Sequence, residues 1–389
     1  MKHIALLALF ATVALLVGCA SVPPPQVPPQ LFQDQAFDAP TQRIDATEVF
    51  ALSPAMKRYL DVDIAPQLRS MGAQTGLVDA LYSKAQLRLD YETDITRTAA
   101  QAFDARSGNC LSLVVMTAAL AKHLSLPIQY QALIGSESWS RNGGLNFVNG
   151  HVNISVARRL VERINGIESE TLLQLSFGAR PVGRGRQIRP VSEPTIVSMF
   201  MNNRAAEALA SGEMANAYAY AREAVIQDPA YAGAYNTLAV IYQRHGLDEA
   251  AERAYRHAIA HDDDHRAAMH NLARLLDAQG RSAEAAPWRA RLAKLEVEPP
   301  FHHFDLGRAA IEAGDFRSAR EHILREMRRD PDYHEFHLWL AVALYGLGEV
   351  DQAREHLSTA MKNSTTQRER ALYASKLQRL AASSGSRTQ

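Results

Sequence analysis

Residues 232–265 read AGAYNTLAVIYQRHGLDEAAERAYRHAIAHDDDH, with Gly246 near the middle and Ala251 five positions on. Both landmarks recur. Gly212, Gly246, Gly280, Gly314 and Gly348 step by 34 residues, as do Ala217, Ala251, Ala285, Ala319 and Ala353. Leu238, Leu272, Leu306 and Leu340 keep the same phase, and Asp228-Pro229 and Asp330-Pro331 close two of the repeats. A fixed period of this length marks a stacked-repeat architecture. Five units follow, beginning near residues 198, 232, 266, 300 and 334. Each reads as a helix pair. The glycine supplies the positive φ of the turn, the alanine marks the close approach of the two helices, and the proline stops the second helix. Unit three lacks the closing proline and carries Pro287 just after its packing alanine, which predicts an irregular second helix. Residues 367–382, with Leu372, Leu377 and Leu380, read as a capping helix.

Unit two carries Tyr235, Leu238, Ala239, Tyr242, Gly246, Ala251, Tyr255 and Ala258 in an order that resembles the tetratricopeptide repeat. The resemblance implies an all-α superhelix over residues 198–366, followed by a capping helix and tail over 367–389. It also implies a protein or peptide partner on the concave face. By the family's pattern that face displays Asn202, Asn236, Val240, Gln243, His270, Arg274, Arg308 and Tyr345. The alternative role for the array is a spacer that orders its neighbour.

Ahead of the repeats, Ser53-Pro54 opens a helix with Met56, Tyr59, Leu60 and Ile64 on one face, and Thr98 to Gln101 has capping-box spacing. Arg106-Ser107-Gly108-Asn109-Cys110-Leu111-Ser112 then leads into the apolar run Leu113 to Leu124. Three strand-like runs follow, at 128–134, 146–156 and 171–177. Cys110 therefore stands in the first turn of a buried helix, where the helix dipole favours a thiolate. His151 opens the second strand, and a helix-tip cysteine beside a strand histidine is a thiolate–imidazolium arrangement.

At Gly108-Asn109-Cys110 and Gly150-His151-Val152 the chain resembles the transglutaminase-like, papain-like superfamily. The resemblance implies an α+β domain over residues 45–180 with Cys110 and His151 as catalytic residues. An aspartate belongs on the next strand, but that strand reads Leu172-Leu173-Gln174-Leu175-Ser176-Phe177, and Gln174 aligns with the missing acid. Four readings stay open. The site runs with Cys110, His151 and Gln174; the acid comes from elsewhere, with Glu168 and Glu170 nearby; the activity has decayed; or the strand alignment is wrong. As an enzyme, the domain would carry out acyl transfer or peptide hydrolysis on a protein recruited by the repeats. As an adaptor, it would be a degenerate fold and the repeats would do the binding.

The amino terminus reads as an address. Lys2 and His3 precede an apolar run from Ile4 to Val17, which is short for a membrane span but suits a signal peptide. Leu16-Val17-Gly18-Cys19 resembles a bacterial lipobox, which implies a signal peptide over 1–18 and lipidation of Cys19. The proline-rich segment 19–44 reads as an extended tether. By resemblance to Gram-negative lipoproteins, the absence of an Asp after Cys19 implies the outer membrane, facing the periplasm.

Composition narrows the remaining classes. The 389 residues are 47% hydrophobic with zero formal net charge, which fits globular domains and argues against a nucleic-acid partner. No dinucleotide, P-loop or zinc-peptidase motif calls for a cofactor. His257 and His261, and the group His302, His303, His334 and His337, read as repeat substitutions rather than metal ligands, because nothing completes a four-ligand set. Residues 181–197 read as an arginine-bearing linker stiffened by Pro190 and Pro194.

Overall fold

The computed structural model describes residues 27–82, 87, 89–92, 95–142, 145–158, 171–175, 177, 187–295, 301–364 and 367–385. Pro54 opens α1 (Pro54–Arg58), where the Ser53 hydroxyl accepts the Met56 N–H. A π-turn leads into α2 (Ala65–Met71) and α3 (Ala73–Tyr82). β1 (Asp90–Tyr91) precedes α4 (Ala99–Ala105), whose capping box is formed by Thr98 and Gln101 as the spacing predicts. β2 (Ser107–Gly108) pairs in parallel with β1 and leads into α5 (Cys110–His123). Leu111 to Ala121 are all buried, so α5 is a central core helix.

Against α5 lies a four-stranded antiparallel sheet in the order β5-β4-β3-β6. β3 (Ile128–Asn142), β4 (Leu145–Arg158) and β5 (Thr171–Leu175) are the three strands expected from sequence. β6 (Gln187–Val191) is not, and it corrects the linker drawn over 181–197. Residues 187–191 pair with Tyr130 to Ile134 of β3 and complete the middle domain. Pro190 is tolerated because β6 is an edge strand.

α6 (Glu193–Ala210) starts two residues after β6, capped by Ser192, so the array begins earlier than 198. The pairs continue as α7 (Met214–Gln227), α8 (Ala232–Arg244), α9 (Asp248–His261), α10 (Arg266–Ala278) and α11 (Ser282–Leu295). They resume with α12 (His302–Glu312), α13 (Phe316–Met327), α14 (His334–Gly346) and α15 (Val350–Asn363), and α16 (Gln367–Gly385) caps them. All five turn glycines have φ between 75° and 82°, as their period requires. The five packing alanines are fully buried.

Among the described residues, the array has one break. Buried apolar residues form a first core that runs from the middle domain through Leu292, and a second that starts at Phe301 and ends on α16. α11 is a continuous helix despite Pro287, but among its described residues only Ala285 and Leu292 are buried. Leu306 shows the consequence. It keeps the phase of Leu238, Leu272 and Leu340, which are 0–1% exposed, yet it is 40% exposed because the preceding unit does not cover it.

The amino-terminal reading also changes. Leu31 is buried in the first core and Phe37 stacks on Tyr218 at 4.0 Å, so the described part of segment 19–44 is docked rather than extended into solvent. Cys19 lies outside the described residues.

The histidines pair between helices. His303 and His322 face each other through Nδ1 at 3.3 Å, and His337 and His356 repeat the contact at 2.9 Å. His337 Nε2 donates to the Pro331 carbonyl at 2.8 Å, so its Nδ1 accepts from His356. Burial, then the neighbouring His337 ring, pushes the His356 pKa down. His257 and His261 stack on Tyr235 and are likewise lowered, first by burial. No group of three metal-ligating side chains occurs among the described residues.

Two outcomes follow from these packing facts. Leu340→Ala lowers stability by about 2–5 kcal/mol, while Leu306→Ala costs about 1 kcal/mol or less, read from urea midpoints. The lowered histidines take up protons more readily in the unfolded chain, so stability is full above pH ~6.5 and declines as pH falls below it. Tm therefore drops between pH 7 and pH 5, and drops less in His356→Gln.

Candidate functional site

The first turn of α5 is fixed by a closed set of hydrogen bonds. Asn109 Oδ1 accepts the Ser112 N–H at 2.9 Å and the Ser112 hydroxyl at 2.8 Å. Asn109 Nδ2 donates to Thr96 Oγ1 at 2.8 Å, and the Arg97 N–H donates to Ser112 Oγ at 2.8 Å. Gly108 is required by close approach, because a Cβ there would stand 2.6 Å from Ser112 Cβ. The β1–β2 register places Tyr91 opposite Gly108 and so beside Cys110.

Cys110 keeps partial exposure, and its sulfur lies beside the Val152 and Leu111 N–H groups and the Tyr91 hydroxyl. Burial pushes its thiol up. The backbone N–H groups of Val152 and Leu111 and the Tyr91 hydroxyl work against that shift. Burial and the Cys110 sulfur together push the Tyr91 hydroxyl up as well. At rest the balance favours the protonated thiol, with several donors placed to receive negative charge.

The contact at Val152 brings Cys110 to the residue beside His151, which is half-buried opposite Leu133 on β3. Gln174 is not brought to them. It is exposed and pairs with Ser155, four positions along β4 from His151, or about 13 Å of strand. Alignment along one strand cannot reveal this, because the register comes from how β4 and β5 pair. Glu168 and Glu170 lie outside the described residues. The polar side chain on the His151 face two positions away is Asn153, fully buried and with neither amide atom partnered among the described residues. Sequence reasoning missed Asn153 and Tyr91. Asn153 was legible as a polar residue in an apolar strand; Tyr91 carried no local signal.

The eight residues expected on the repeat face all lie on the first helices of their pairs. Asn236 Oδ1 accepts from Asn271 Nδ2 at 3.1 Å, which joins α8 to α10. Gln243 accepts the Tyr255 hydroxyl at 2.9 Å. Asn202, Val240 and His270 are half-buried, and Arg274 is exposed. Arg308 lies over the Trp339 ring at 4.9 Å, and Tyr345 is 51% exposed. The break after α11 splits this face: Arg308 and Tyr345 belong to the second core's units, the other six to the first.

Tyr91→Phe removes one donor from the sulfur and should slow alkylation of Cys110 at pH 8 about three- to ten-fold. Gly108→Ala forces β2 away from Ser112 in the first turn of α5 and should cost about 1–3 kcal/mol, measured by chemical unfolding.

A tetratricopeptide-repeat family model matches residues 304–367, and a second matches residues 266–291. No curated protein matches the chain. Similar solved structures include YrrB, a tetratricopeptide protein described as having an unusual peptide-binding site. It is 19% identical over 46% of this chain and 92% of its own, with a TM-score of 0.25. Another is Pseudomonas aeruginosa PilF, 23% identical over 49% of this chain and 89% of its own, with a TM-score of 0.29. MamA is 16% identical over 43% and 91%, with a TM-score of 0.25. With units three to five matched by the family models and units one and two in the same 34-residue phase, the carboxy-terminal half of the chain is a tetratricopeptide-repeat array.

Proposed function

We propose that this chain is a protein-binding adaptor of the bacterial envelope, held at the outer membrane by a lipid on Cys19. The repeat face grips an extended segment of a partner protein. The middle domain, a transglutaminase-like fold, serves as the rigid base of the array. The observation that supports this most directly is unfilled hydrogen-bonding capacity on the repeat face. Asn202 Oδ1 and Arg308 Nε are buried and have no hydrogen-bond partner among the described residues. Such groups carry a cost in the free protein that a bound segment relieves.

A second reading rests on a different observation, the ring of donors around Cys110. In that reading the Cys110 thiolate attacks a carbonyl carbon, and a thioester forms as the C–N bond breaks. His151 delivers the proton to the departing amine, and water or a second amine then resolves the thioester. The raised thiol and the distance of Gln174 from His151 place this reading second.

A photo-crosslinking residue at Asn236 in the full-length protein separates the two. The adaptor reading expects one discrete crosslinked protein in cells, lost with Arg274→Glu and retained with Cys110→Ser. The same crosslinks from a probe at Arg256, on the second helix of its unit, would rule it out. Loss of the crosslink with Cys110→Ser, in a protein of unchanged stability, would favour the thiol chemistry.

A further inference from the structure

The segment ahead of the middle domain is held as a ligand is held. Residues 31–41 cross α7 and the carboxy-terminal end of α8. Four backbone groups are gripped by side chains. Tyr242 donates to the Leu31 carbonyl at 2.8 Å, and the Gln33 N–H donates to Tyr218 Oη at 3.1 Å and Tyr242 Oη at 3.2 Å. His245 Nε2 lies 2.8 Å from the Ala36 carbonyl, and the Thr41 N–H donates to Asn216 Oδ1 at 2.8 Å.

Three side chains of the segment are read individually. Asp34 Oδ1 accepts the Tyr218 hydroxyl at 2.6 Å and Arg222 Nε at 2.9 Å. The Phe37 ring stacks on Tyr218 and lies 4.4 Å from the His245 ring. Arg222 covers the Phe32 ring at 4.8 Å. The receiving surface is built for this and is not a by-product of the repeat pattern. One unit further on, the positions of Asn216, Tyr218 and His245 hold Ala250, Glu252 and Gln279, which offer neither an aromatic ring to stack nor the Asn216 amide and the Tyr218 hydroxyl. Asn216 and Tyr218 sit on a second helix of a pair, and the residues that hold the strap (Asn216, Tyr218, Arg222, Tyr242 and His245) are not those of the expected concave face.

We propose that this edge of the first two units is a second peptide-recognition site. Its ligand class is an extended segment of the form Phe-x-Asp-x-x-Phe, and residues 32–37 fill it in cis. The strap acts at the millimolar effective concentration of an intramolecular ligand, so a partner segment of the same chemistry enters only when the strap leaves. The site is independent of the concave face, and its failure would leave the adaptor reading untouched.

The test uses the full-length protein in detergent and a fluorescent peptide of residues 29–42. The strap variant Asp34→Ala/Phe37→Ala should bind the peptide at least ten-fold more tightly than wild type does. Adding Tyr218→Ala to that variant should abolish binding, as should Phe37→Ala in the peptide. Equal binding by the folded strap variant and wild type would overturn the proposal. Should the strap variant fail to fold, hydrogen exchange of the wild-type protein decides. Slow exchange at the Gln33 and Thr41 amides supports the site, and exchange at the rate of a free peptide overturns it.

Discussion

Glu207 of α6 accepts the Thr96 N–H at 2.8 Å, and Thr96 in turn accepts from Asn109, the cap of the cysteine helix. Through these bonds the first repeat helix holds the loop that orients Cys110. The bond is made out of water: burial pushes the Glu207 carboxyl up, while Arg204 at 2.6 Å and the Thr96 N–H hold against it. At its other end α6 binds the sheet, where Glu193 accepts the Tyr130 hydroxyl at 2.9 Å and pairs with Lys122. α6 is therefore both the opening helix of the array and a wall of the middle domain. Its buried residues Ile196, Phe200 and Met201 sit in the same core as α5.

That shared helix rearranges the functional geography. The helices that carry Cys110, Asn202, Asn236 and Arg274 stand on one packed body. Arg308 and Tyr345 stand on the other. The strap adds a further lock, because it covers Tyr218 and Tyr242, which are 4% and 0% exposed with it in place. Burial holds the Tyr242 hydroxyl as a donor, pushed up to about 12.

Much of this was legible from residues alone, where a local constraint leaves a mark. The turn glycines must take positive φ, so their period survives and sets every helix pair. Gly108, Asn109 and Ser112 mark the start of α5 because a cap has a fixed spacing. Features decided by long-range neighbours were not legible. β6 contains Pro190, which reads as linker until an edge position is available beside β3. The strap carries prolines just ahead of Leu31, which hid Phe32 and Phe37 as anchors. Gln174 aligned by strand order, but pairing set it across from Ser155. Leu306 keeps perfect phase, and a period cannot show that the preceding unit does not pack over it.

The physical boundary of the molecule lies after α11 and not between the middle domain and the repeats. Native-state hydrogen exchange measures this directly, since residues that open together share one free energy of opening. Two cooperative units are expected, one spanning α1 through α11 and one spanning α12 through α16. Separate opening energies for residues 54–191 and for α6 to α11 would contradict it.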